Sequence, residues 1–248
     1  MFAFRFELRP LPEVTPWGGD RPRLHWFGLT EGRYRWEVAG RCLPRPVPGS
    51  SEPGIDHYVA RLWEDVLDLT PTVLEPVPDD LRTFVASDPA TWAPVDGDDG
   101  DDSDDAVEAR SWHALHRLDL AYLADPPRLR LWRTVGTRDE VHVRWTHPRG
   151  EPDEPGGAAV VDTAAYVDAV HDLGRTLMTA MRARVDEVRE RGGLPGVEID
   201  LDALAREQEE RAAHAAAVRL DTPPGTDWDA VRRGARALLG ARPPSAAG

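Results

Sequence analysis

Three groups of side chains in this chain have the types and spacing for chemistry. His113 and His116, with Asp119, recur at i, i+3 and i+6 in a stretch of helical periodicity, so two imidazoles share a face and can ligate a metal. The run from Asp96 to Asp105, DGDDGDDSDD, offers seven Asp in ten residues, the oxygen donors that hard cations take. Arg33, Arg35, Arg128, Arg130 and Arg144 alternate along strand-like segments, beside Phe27, Trp132 and His142. Guanidiniums next to indoles make interaction hot spots, and the same forks hold phosphate or carboxylate.

The first two groups are the weaker. No Cys and no second ligand cluster accompanies the histidine pair, so both rings are expected to be solvated on a helix surface. The acidic run matches no start position of the calcium-loop template, which needs Asp at its first, third and fifth positions, Gly at the sixth and Glu at the twelfth. A self-repelling, disordered loop at 96–105 is expected instead. No metal and no cofactor is expected. The arginine group has its own plain reading, a solvated sheet face of cross-strand Arg–Glu pairs.

Composition excludes several classes. The sequence has no Lys, which removes Schiff-base chemistry and the lysine of a phosphate loop. GxSxG, HExxH and GxGxxG are missing, and no Ser has a nucleophile-like context, so the reading leans away from an enzyme. A net charge of −14 argues against nucleic acid as a partner. Cys42 is the single cysteine, with no intrachain partner, which fits a reducing, cytoplasmic compartment. No apolar run approaches the ~20 residues of a membrane span, so no membrane is expected.

The elements that position these residues follow from periodicity. Phe2, Phe4, Phe6 and Leu8 share one face of an opening strand. Trp17 to Val38 reads as a Trp-rich hairpin, with strands at Leu24–Leu29 and Arg33–Val38 joined by Thr30-Glu31-Gly32. Arg128 to His147 reads as a second. Helical stripes predict helices over about Asp56–Leu69, Asp79–Ala86, Val107–Leu123 and Thr163–Arg191. Another starts at Asp200 or Asp202, and a last one opens at Thr226 with Trp228, Val231, Ala235 and Leu238 inward. The fold expected is α+β: an antiparallel sheet of about five strands covered on one face by helices. A single domain over 1–241 would carry it, with a flexible tail at 242–248. Phe4, Trp26, Trp36, Val143 and Trp145 would lie beneath the helices. The open side would then display Arg33, Arg35, Arg128, Arg130, Trp132, His142 and Arg144 as a binding surface.

The segments PWGG, LHWFGLT, YVARLWEDVLDLTPTVLEPVPDDL, LRLWR, VRWTH and TDWDAVR resemble an uncharacterised bacterial family of unknown function. The resemblance spans most of the chain and implies no catalytic site. By analogy with other small acidic bacterial proteins, the function expected is a non-catalytic protein-interaction module, an immunity-type inhibitor of a partner such as a toxin. The alternative is a small-molecule or phosphate-ligand protein, or an enzyme, with an Arg/His pocket on the sheet.

Overall fold

The computed structural model describes residues 1–43, 53–94, 100–123, 127–146, 156–220, 222 and 224–240. In chain order the elements are β1 (Phe2–Leu8), β2 (Glu31–Val38), β3 (Arg41–Leu43), β4 (Ile55–Tyr58), α1 (Val59–Leu74), α2 (Arg82–Val85), α3 (Gly100–Leu115), β5 (Arg128–Val135), β6 (Asp139–Thr146), β7 (Gly157–Asp162), α4 (Thr163–Glu190), α5 (Leu201–Ala217) and α6 (Trp228–Gly240). The class is α+β. Its strands belong to two sheets, β1-β2-β3 with β4 also on β2, and β5-β6-β7, where alternation predicts one sheet of about five. The chain forms two compact units, Met1–Asp68 with Val161–Leu220, and Leu69–Val160 with Asp221–Gly248.

In the first unit β2 keeps the alternation of its sequence: Gly32, Tyr34, Trp36 and Val38 are buried, and Arg33, Arg35 and Glu37 are half-buried on the other face. Its partner is not the segment Leu24–Leu29, which forms turns and a 3-10 turn at Gly28–Thr30. β1 takes that place antiparallel over seven residues, setting Phe2 opposite Val38, Phe4 opposite Trp36 and Phe6 opposite Tyr34. Aromatic and β-branched cross-strand pairs favour this register, whereas the Leu24–Leu29 stretch buries Leu24, Trp26 and Leu29 without period two. β4 takes residues 55–58, with 56–58 expected to belong to a helix, so α1 starts at Val59 and runs through Pro71 to Leu74. The lone glutamine, Gln208 of α5, is 2% exposed. It accepts from the Trp26 indole (2.7 Å) and donates to the Met178 carbonyl of α4 (3.2 Å), so the buried indole is satisfied.

In the second unit β5 and β6 pair antiparallel over eight residues. α3 begins inside the acidic run, so Gly100–Asp105 are its first turns and not a loop; residues 95–99, and the tail from 241, lie outside the described residues. Asp suits a helix N-terminus, where backbone N–H groups and the dipole favour negative charge. Asp105 also takes a two-pronged ion pair from Arg233 of α6, at 2.6 and 3.0 Å. The two helices approach closely because Gly234 leaves no Cβ, which would stand 1.9 Å from the Asp105 carbonyl oxygen. α6 is capped by Asp227, whose carboxylate accepts from the Asp229 and Ala230 amides, while Thr226 instead donates to Glu75. Val77, Phe84, Trp112, Trp132, Val231 and Leu238 belong to the core of this unit.

Candidate functional site

The structure distributes the seven arginine, tryptophan and histidine positions singled out in the sequence over both sheets. Arg33 and Arg35 lie on β2 in the first unit. Arg33 is forked onto Asp56 of β4, at 3.2 and 2.9 Å. Arg35 stands opposite Arg5, whose guanidinium pairs with Glu37 at 3.5 Å. That face is the plain alternative, a sheet surface of charge pairs. The other five lie on β5 and β6 and share one face: Arg128 opposite Thr146, Arg130 opposite Arg144, Trp132 opposite His142.

This second face is not the open one expected. Trp132 is 7% exposed and packed with residues of α2, α3 and α6, so helices cover its end of the face. His142 stacks on Trp132 with ring planes 5° apart, and its Nε2 shares a hydrogen bond with the Thr134 hydroxyl (2.9 Å). Burial above all lowers the His142 pKa, against the pull of Glu140 and with a smaller push from the Arg82 charge.

Towards the other end the face becomes cationic. The segment just after α3 lies along the free edge of β5: Leu118 N donates to Leu129 O (3.0 Å) and Leu131 N to His116 O (2.8 Å). Those bonds bracket an antiparallel bridge between Arg117 and Arg130. Bracketed in this way, the two form the close, non-hydrogen-bonded type of pair, with Cα atoms about 4.5 Å apart. Arg117, Arg130 and Arg144 therefore make a row of three guanidinium side chains across neighbouring strands, with Arg128 two residues along β5. Like charges directly opposite destabilise a sheet.

Arg130 and Arg144 have backbone partners in the turn after α2. Arg130 Nη1 donates to Ser87 O (2.9 Å) and Val85 O (3.4 Å), and Arg144 Nη1 to Ala86 O. These carbonyls end a helix and take cationic donors well. They neutralise no charge, however, and among the described residues none of the four arginines has an ion-pair partner. Arg130 Nε is buried with no hydrogen-bond partner there. Burial and then the Arg117 and Arg144 charges push the Arg130 pKa down to about 10, with Asp88 acting the other way. Around the row is a pocket of about 180 Å³ lined by Arg117, Arg128, Arg130, Arg144, Trp145 and the turn Ser87–Ala90. Among the described residues Asp88 is its one lining carboxylate, and that carboxylate accepts from the Ala90 amide (3.0 Å). The arrangement can receive an anion through several N–H donors; phosphate and carboxylate match such forks.

Arg117 is the residue that periodicity misplaces. It falls inside the helix expected over Val107–Leu123, but α3 ends at Leu115, and nothing in the local sequence announces an edge bridge to β5. The histidine pair is likewise corrected. His113 and His116 are 2% and 1% exposed, not solvated. His113 packs against Trp92 and Phe84 at ring distances of 4.6 and 5.4 Å, and His116 Nδ1 hydrogen-bonds the Trp112 carbonyl (2.9 Å). Burial, above all, lowers them to about 3 and about 4. Among the described residues no group of three or more His, Cys, Asp or Glu could hold a metal ion. No helix among them is long and apolar enough to cross a membrane.

The chain belongs to DUF5984, a family of unknown function whose model matches residues 3–234. No curated protein matches it, and no solved structure does.

Proposed function

We propose that this member of a family without an assigned activity is a binding protein whose pocket on the β5–β6 sheet seats an anionic group, a phosphate or a carboxylate. The observation that carries the reading is the row Arg117, Arg130, Arg144, set side by side by strand register and, among the described residues, facing no carboxylate in an ion pair. An anion in the pocket offsets repulsion that Asp88 opposes without an ion pair, and charge-assisted bonds to several N–H groups are the strong kind. A net charge of −14 makes the local excess of guanidinium more telling, and elsewhere Arg23, Arg33, Arg133 and Arg233 each meet an acid. At the rim the Ser87 hydroxyl donates to Phe84 O and accepts from the Trp92 indole, so it is already engaged in its turn.

A protein-interaction module, including an immunity-type inhibitor, would use the same residues. Arg128 and Arg144 are exposed at the rim, where a partner's Asp or Glu side chain can enter.

The test is thermal unfolding at fixed ionic strength, with sodium phosphate or sodium sulfate exchanged for sodium chloride. Binding to the native state raises the melting temperature, and a concentration of 100 times Kd adds about 2.7 kcal/mol. For a chain of this size each kcal/mol moves the midpoint by about 2–4 °C. Arg128→Ala is expected to abolish the rise. Equal melting temperatures in all three salts at tens of millimolar would refute the reading.

A further inference from the structure

The pocket does not end at the arginines. Across Arg144, Trp145 and Thr146, which line both, it adjoins a second depression of about 580 Å³, also lined by Ala86, His142 and residues 156–160 of the β7 edge. Among the described residues no carboxylate lines this depression. Trp132 and Val143 also line it, and along β7 its lining is Gly157, Ala158, Ala159 and Val160. Gly157 has to be small: a Cβ there would stand 2.1 Å from the Trp145 ring. Ala158 and Val160, at alternate positions, are both exposed.

His142 stands in the wall of this depression as a plate. Sheet order is β5-β6-β7, and His142 of β6 faces Trp132 of β5 with parallel rings, centroids 5.2 Å apart. Its other ring face therefore turns towards β7 and the open volume. The Thr134 hydroxyl fixes the ring's rotation. A planar group would find there one flat, pre-oriented surface with Ala158 and Val160 of β7 beside it, and offset stacking on such a surface is favourable.

Resting on the anion-binding reading above, we infer that the ligand is a small phosphate monoester bearing a planar aromatic ring, its phosphate among the four arginines and its ring stacked on the outer face of His142. Phosphate suits the arginine row better than a single carboxylate does, because it offers more acceptor oxygens and about two negative charges. The adjoining depressions together reach the size of small-molecule sites, roughly 300–1,000 Å³.

Calorimetric titrations at constant ionic strength with inorganic phosphate, methyl phosphate, cyclohexyl phosphate and phenyl phosphate test this. Phenyl phosphate is expected to bind about tenfold tighter than the other three. His142→Ala is expected to remove that preference while leaving inorganic phosphate unchanged. Because His142 is half-buried, Ala158→Leu serves as the second variant: it fills the depression from an exposed position and is expected to have the same effect. Equal binding of phenyl and inorganic phosphate, or a preference that survives both substitutions, overturns the ring assignment and leaves the anion reading standing. A phenyl preference matched by cyclohexyl phosphate also overturns it, since apolar contact without stacking would explain both. No binding of any probe overturns both readings together.

Discussion

Replacing Arg117 by Gln is expected to stabilise the ligand-free protein and at the same time to abolish its response to phosphate. Arg117 is exposed and stands beside Arg130 across a close bridge. With charge centres about 6 Å apart, the Coulomb energy at the dielectric constant of water is about 0.7 kcal/mol, and screening at 0.1 M salt reduces it by roughly half. Like pairs across strands are costly in that same range, about 0.2–1 kcal/mol. Gln keeps the length and polarity of the side chain without the charge. The unfolding free energy in about 10 mM salt is thus expected to rise by about 0.5 kcal/mol, and by less than half of that in 0.5 M sodium chloride. Urea denaturation with midpoints compared at constant slope reads the difference. In phosphate the order reverses, because the wild type is stabilised by binding and the variant is not. Such opposition between stability and binding marks a site kept for function. A variant less stable than the wild type at low salt, or a difference indifferent to salt, would show that the row is not repulsive and would remove the main support for an anion site.

Two further outcomes follow from the buried polar groups. His113 and His116 are held at about 3 and about 4, below the unfolded value near 6.5, so the unfolded chain takes up protons first as the pH falls. Stability is accordingly unaffected by these rings above about pH 6.5 and declines from there down to about pH 4 for His116 and about pH 3 for His113, by up to about 1.4 kcal/mol per pH unit for each histidine. His113→Phe, which keeps a ring against Trp92 and Phe84, is expected to halve the slope between pH 6 and 4.5 in denaturant titrations; an unchanged slope would show that His113 is not the sensor. Gln208→Leu strands the Trp26 indole N–H without an acceptor and is expected to cost about 1–3 kcal/mol in urea melts, whereas loss of an ordinary surface residue costs under about 0.5 kcal/mol.

Where local pattern and burial agree, the sequence by itself determined the outcome. Strict alternation placed Tyr34, Trp36 and Val38 inside β2, since a strand has only two faces. The apolar stripe ending at Gly192-Gly193 bounded α4, and the pattern offered Asp200 or Asp202 as the cap of α5, of which Asp200 accepts from the Ala203 amide. The class α+β followed from such elements. Which strands pair is a different matter, because a hydrogen-bonded ladder joins segments by register and not by proximity in the chain. β2 took β1 instead of Leu24–Leu29, and the strands settled into two sheets, so Arg33 and Arg35 left the company of Arg128, Arg130 and Arg144.

The burial of His113 and His116 was hidden for a related reason: Ala106, Ala109, Trp112, His113 and His116 form the inward stripe of α3 and its end, and a stripe of alanine and histidine carries little hydrophobic signal. Arg128, Arg130 and Arg144 were legible as one face of two strands. Their charge became a site only when tertiary structure laid Arg117 against the free edge of β5 and brought the turn after α2 across the other side, because bridging and covering are decided by contacts between residues far apart in sequence.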